Sequence, residues 1–371
     1  RATGLAVATT LAVHWTCCQQ EAPSDQETSA QPCSHAQECA RLHAARLPVL
    51  PQGGSEHFSV YNGQSGASAS IADVVAAMER CDVVMLGECH DDPVAHSLEA
   101  FLLVSLASRR QKSALSLECF ERDTQTVLDE YLAGFTREAD MVQDARAWAN
   151  YESDYRPLVE FSKAVGLPII AANAPRRYVG AVGREPGALR ESIWPAQTYR
   201  WLPSLPLPTP SHRYMAHLHA APAVLRADQL GLEEELGSAP PSGAASQDGA
   251  VAAHPRCPYI ANDLRGRLLQ PMLLWDATMA HSLVQSLTAE PDRVVLHVCG
   301  SFHCERRLGV VEMVEALSDG SFKVLVVVMV PEKDCHQFVR ERHAGLGDFV
   351  ILTDASLART HDYMMDVSPA R

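Results

Sequence analysis

Apolar residues along the chain fall into two alternating patterns. Short apolar runs, FSVYNG (58–63), DVVMLG (82–87), SALSLE (113–118), LPIIAA (167–172), RVVLHVCG (293–300) and FKVLVVVMV (322–330), read as strands. Most lack the polar alternation of a half-exposed strand, so they fit a parallel sheet covered on both faces. Between them lie segments with helical spacing. In SASIADVVAAMER, Ile71, Val74, Val75 and Met78 share one face behind a serine cap. PVAHSLEAFLLVSLASRR, RDTQTVLDEYLAG up to Gly134, MVQDARAWANYESDYRPLVEFSKAVG, LLQPMLLWDATMAHSLVQSLT and GVVEMVEALS predict further helices. DFVILT (348–353) predicts an edge strand near the end. This repeated β-then-α order predicts an α/β domain whose central, mainly parallel sheet carries helices on both faces, with helical and loop insertions.

Two regions break the rhythm. From Pro203 to about Asp263 the chain is rich in Pro, Ala, Gly and Ser, and the tract at about 236–258 is expected to be a disordered insertion. The part before it carries His212, Tyr214, His217 and His219 and would suit a lid over a pocket. At the other end, residues 1–40 pair an apolar leader, ATGLAVATTLAV, with a polar tether that cannot build a core, which leaves 41–371 as one domain. The leader is too short to span a membrane as a helix. Two readings fit it: export to the cell envelope with a lipid on Cys17, giving peripheral membrane attachment, or targeting to an organelle.

A net charge of −14 repels phosphate backbones and removes nucleic acid as a partner. The 11 cysteines include no CxxC pair, so a structural zinc knuckle is not expected, and Cys81, Cys89, Cys119, Cys299 and Cys304 lie in or beside strand-like runs.

The candidate chemistry sits at strand ends. GECH (87–90) and GSFH (300–303) each close a strand-like run with Gly-x-x-His. Ligands bind beyond the carboxyl ends of parallel strands, so His90 and His303 can share one pocket despite their distance in sequence. With Glu88, and with Glu118 closing SALSLE, they form a set suited to a divalent metal or to paired acid/base work. An unpaired Glu118 would be costly, so a metal, a histidine or an arginine such as Arg122 or Arg176 is expected beside it. Simpler roles are expected nearby: Asp91 as a helix cap with His96 on the helix flank, support of His90 being the alternative there, Glu121 complementing a helix dipole, His281 in solvent, and His297 and Cys299 packed under a helix. Asp276 lies beside the apolar stripe Met272, Trp275, Met279 and Leu283, within reach of the pocket.

GECHDD, SLECFERDTQ, DYRPLVEFSKAVGLPIIAANAPRR, WDATMAH and HVCGSFH, in this order, resemble the ChaN-like haem-binding uptake family of the Tiki and erythromycin-esterase-like superfamily. The resemblance covers roughly residues 58–330 and implies the same large α/β fold. It places functional positions on Glu88, His90, Glu118 and His303, and departs from the simplest motif in the thiols of Cys89 and Cys119, which could oxidise or recruit a soft metal. It also implies haem as a ligand, with Arg176, Asp276, Tyr214 and Tyr259 as candidate contacts, Arg176 toward a propionate.

Two functions therefore follow as expectations. One is a haem- or iron-associated binding protein whose His/Glu pocket holds a divalent metal. The other is a metal-dependent hydrolase using the same four residues. Haem or another small molecule is the expected partner, and a homodimer is compatible with either reading.

Overall fold

The computed structural model describes residues 56–185, 194–220 and 264–361. The leader, the tether, the tract at 236–258 and Tyr259 lie outside them. Eight strands form one sheet in the order β2-β1-β8-β7-β3-β6-β4-β5. They are β1 (Phe58–Asn62), β2 (Ser68–Ala69), β3 (Val83–Glu88), β4 (Ser113–Glu121), β5 (Ile169–Asn173), β6 (Val294–Gly300), β7 (Val324–Glu332) and β8 (Phe349–Asp354). From β8 through β5 all pairings are parallel, while β1 runs antiparallel to both β8 and β2.

The helices are α1 (Ile71–Met78), α2 (Pro93–Ala107), α3 (Gln125–Leu132), α4 (Glu138–Asp144), α5 (Arg156–Val165), α6 (Arg176–Arg184), α7 (His212–Ala220), α8 (Leu264–Ala289), α9 (Val310–Leu317) and α10 (Arg340–His343). Strand alternation divides them into two layers. Val84 and Leu86 of β3 join Leu296 of β6 in a core with α1 through α5. Val83 and Met85 join Val295 and Cys299 in a second core, against α7, α8 and α9. Both faces of the sheet are thereby closed, which is why its strands read as continuous apolar runs.

Three expectations are corrected. DFVILT is not an edge strand: β8 lies between β7 and β1, and the short β2 forms that edge of the sheet. An antiparallel partner contributed from the start of the domain covers it, a pairing invisible in the run itself. SALSLE continues to Glu121, past an irregularity in its register with β5 between Leu117 and Glu121. The cap of α2 is Asp92, whose Oδ1 accepts from the Val94 and Ala95 amides at 3.0 and 3.3 Å, and not Asp91. Pro93 fixes the first helical position, which makes the residue before it the cap. The serine cap of α1 stands, with Ser70 and Asp73 closing a reciprocal capping box.

Candidate functional site

The strand order decides where the tetrads meet. β6 returns between β3 and β4, so Glu88, Glu118 and the turn after Gly300 lie on three adjacent strands at their carboxyl ends. Alternation then sends the carboxylates to opposite layers, since Glu88 follows Val84 and Leu86 whereas Glu118 follows Ala114 and Ser116. The site is a seam where the two helical layers meet over the end of the sheet.

On one side, Tyr155 donates to Glu88 Oε1 at 2.6 Å, and His90 Nδ1 lies 2.8 Å from the same oxygen. Burial opposes ionisation of Glu88, but His96 and His90 outweigh it and hold the carboxyl well below its usual range. An ionised Glu88 only accepts, so Nδ1 of His90 is the donor and Nε2 turns toward β6. There a side chain on Gly300 would sit 2.9 Å from His90 Nε2 and 3.7 Å from His303 Cδ2. Glycine at 300 is what lets the two imidazoles close on the strand end. The His90 ring rests edge-on against Trp148, with centroids 4.8 Å apart.

On the other side, a 3₁₀ turn over Ser301–His303 folds the second histidine back toward the sheet. His303 Nδ1 lies 2.6 Å from Asp276 Oδ1, and Tyr214 donates to Asp276 Oδ2 at 2.6 Å. Nε2 of His303 points at Glu118 Oε1, 3.5 Å away, and Glu118 Oε2 accepts from the Gly300 amide at 2.8 Å. Burial alone would lower the pKa of His303, but Glu118 and Asp276 reverse the effect and push it up to about 9. His90 moves upward for the same reason, with Glu88 and Glu118 overcoming its burial. Each ring is thus held at Nδ1 by its own carboxylate with Nε2 directed inward, the arrangement by which proteins orient metal-binding histidines.

Behind Glu88 lies a second group. His96 Nδ1 is 3.1 Å from Glu88 Oε2 and 3.1 Å from Glu99 Oε2, while Nε2 lies 3.1 Å from the His90 carbonyl and 3.3 Å from Asp154 Oδ2. Asp154 comes from a single π-helical turn, Tyr151–Tyr155, that leads into α5 and delivers Tyr155 to Glu88. Such turns recur at functional sites because the extra residue re-aims side chains. Asn150 ties the turn to the tetrad, donating to the His90 carbonyl at 2.8 Å and to Asp154 Oδ2 at 2.7 Å.

The structure brings Glu88, His90, Glu118 and His303 together and adds Asp276 and Tyr214 through the hydrogen bonds above. Tyr214 and Asp276 are fully buried and bonded to each other. Arg176 stays out: its side chain is 64% exposed and its nearest acid is Glu121 at 3.7 Å. Neither expected arginine pairs with Glu118, for Arg122 contacts His281 and Gln285. That contact and partial burial also correct the solvated reading of His281. Glu121 does stand at a helix start, as the N-cap residue of a 3₁₀ turn over Arg122–Thr124, but it is buried at the end of β4 and its carboxylate pairs with Arg146 at 2.6 Å. His297 is packed as expected. Burial pulls it down to about 4, so it is neutral, with Nδ1 2.9 Å from the Ser116 hydroxyl. Cys119 is buried and its thiol pushed up, whereas Cys89 is exposed and donates to Asp91.

Sequence reasoning missed Glu99, Asp154, Tyr155 and Asn150, and it placed His96 too far outward. One signal was available: His96 and Glu99, three residues apart, lie on a helix apolar on all sides, and such a helix is buried together with whatever charge it carries.

The comparisons agree with this architecture. The family described as "Haem-binding uptake, Tiki superfamily, ChaN" matches over residues 74–314. ChaN of Campylobacter jejuni, solved with cofacial haem, has 14% sequence identity and a TM-score of 0.50, over 81% of this chain and 98% of that one. A mutant of erythromycin esterase EreC in its open conformation has 15% identity and a TM-score of 0.40, over 76% and 78% of the two chains. No curated protein matches. At 14% identity the likeness to ChaN shows the α/β fold alone.

Proposed function

Because the chain belongs to the ChaN haem-binding uptake family of the Tiki superfamily, we propose that it is a haem- or iron-associated binding protein whose strand-end pocket holds a divalent metal ion. One observation carries the metal: His90 and His303, each held at Nδ1 by a carboxylate, turn Nε2 toward a common point beside buried Glu118. His90, His303 and Glu118 would bind the ion, with Glu88 and Asp276 holding the rings. This division differs from the four-ligand set expected from sequence, because Glu88 Oε1 already serves His90 and Tyr155. A bound ion would supply positive charge among buried carboxylates and polarise an oxygen ligand.

Support for haem comes from the family. Among the described candidate contacts, only Arg176 is presented outward, where its guanidinium suits a propionate. Tyr214 and Asp276 are enclosed and serve His303 instead. Hemin titration tests this half of the reading: a saturable Soret shift is expected, and its absence at stoichiometric hemin would end it. Elemental analysis of the wild type, His90→Ala and His303→Ala tests the other half. Unchanged metal content in both variants would remove the proposed ligands.

A metal-dependent hydrolase is the second reading, and Glu118 favours it. Unlike Glu88 and Asp276, Glu118 is not bonded to an imidazole Nδ1 but faces His303 Nε2, a position suited to accepting a proton from water.

A further inference from the structure

The group behind Glu88 is overloaded with acceptors. Glu88, Glu99 and Asp154 are all at least 98% buried, and the His96 ring nitrogens lie within 3.3 Å of an oxygen of each. The His96 Nδ1 proton can serve only one of two oxygens, and with Glu99 Oε2 taking it, Glu88 Oε2 has no nitrogen donor among the described residues, its neighbour being the Glu99 carboxyl, whose proton burial and Glu88 retain. Glu99 Oε1, Asp154 Oδ1 and Asn150 Oδ1 also have no partner among the described residues. Buried carboxylate oxygens without donors are expensive, and water, a proton or a cation must answer for them.

The spacing favours a cation. One ligand atom from each of Glu88, His96 and Glu99 lies within 4.8 Å of the others, and both His96-to-carboxylate separations are 3.1 Å. Two ligands at right angles around an ion at about 2.1 Å stand about 3 Å apart, so these separations are also those of neighbouring ligands on one metal. We propose that Glu88, His96 and Glu99 form a second divalent-cation site beneath the pocket, the ion displacing the His96 Nδ1 proton to solvent while Nε2–H stays on the His90 carbonyl, with Glu88 shared between the two. A mixed set of carboxylates and one imidazole suits Mn²⁺ or Fe²⁺ better than a soft ion. In this arrangement Glu88 Oε1 orients His90 while Oε2 binds the inner cation, so occupancy of the inner site fixes the histidine of the outer one.

The two sites share Glu88 but Glu99 belongs only to the inner one and His303 only to the outer, so Mn²⁺ binding to variants of these two separates them. The full chain, stripped with a chelator and dialysed against Mn²⁺, is expected to hold two ions, His303→Ala one, Glu99→Gln one, and the double variant none. A wild type with one ion that Glu99→Gln loses and His303→Ala keeps would support the inner site and sink the outer one. Glu99→Gln retaining the wild-type number overturns the inner site. Thermal unfolding covers the chance that Glu99→Gln merely misfolds. In the His303→Ala background Mn²⁺ should raise the melting temperature, and adding Glu99→Gln should abolish that rise while the metal-free protein melts no lower. No Mn²⁺-dependent rise in His303→Ala, or a lower metal-free melting temperature on adding Glu99→Gln, counts against the site.

Discussion

The two halves of the seam have the same histidine–carboxylate plan and opposite hydrogen-bond economies. Around His303, each Asp276 oxygen has a partner, one from the imidazole and one from Tyr214, and Glu118 takes the Gly300 amide. Around His96, four buried acceptor oxygens on Glu88, Glu99, Asp154 and Asn150 lack one among the described residues. The contrast lies in the acceptors, since the orphaned atoms near His303, Trp275 Nε1 and His297 Nε2, are ring nitrogens; carboxylates with partners keep their geometry unaided, whereas open ones call for a proton, water or cation. In the His303 half the carboxylate of Asp276 is spent on positioning an imidazole, whereas in the His96 half the acceptors left open are those of the proposed inner site.

Removing a carboxylate should therefore have opposite consequences in the two halves. Asp276→Ala leaves His303 Nδ1 and the Tyr214 hydroxyl buried and unpaired, and should cost about 3–5 kcal/mol in urea unfolding. Glu99→Gln in the metal-free protein should cost nothing. Equal losses at the two positions would break the comparison.

A smaller effect tests the satisfied half by pH. In an unfolded chain His303 titrates near 6.5, but in the folded protein its pKa is about 9, so the folded state holds the proton more tightly. The stability this proton contributes is whole below pH 6.5 and is lost as pH rises through about 9. A shift of that size corresponds to about 3 kcal/mol. Metal-free wild type should lose much of that between pH 6 and 9.5, and Asp276→Asn should flatten the profile. A flat wild-type profile would mean that Asp276 and Glu118 do not hold an imidazolium.

Legibility in the sequence followed the same division. The sheet was readable because strands covered on both faces are continuous apolar runs, and the tetrads were readable because glycine and histidine close two of them. Asp276 was visible beside its apolar stripe. What remained hidden depends on long-range pairing: β8 as an interior strand requires β1 to arrive antiparallel, and β6 entering between β3 and β4 is what joins Glu118 to His303. The His96 group was obscured for another reason. Asp154 and Tyr155 reach it through one π-helical turn, a local change of winding that no hydrophobic period records.

The smallest test compares two tyrosines, each donating at 2.6 Å to a carboxylate that also holds an imidazole. In Tyr214→Phe, Asp276 Oδ2 loses the hydroxyl, and no other side chain is bonded to that oxygen among the described residues. That leaves a buried charged acceptor open and should cost about 1–3 kcal/mol. In Tyr155→Phe, Glu88 Oε1 keeps His90 Nδ1 at 2.8 Å, so the loss should be nearer 0.5–1.5 kcal/mol. Chemical denaturation of the two metal-free variants measures the difference directly. If Tyr155→Phe proves the costlier, then Glu88 depends on that hydroxyl more than on its imidazole, and the His96 half is more rigid without a ligand than its open acceptors imply.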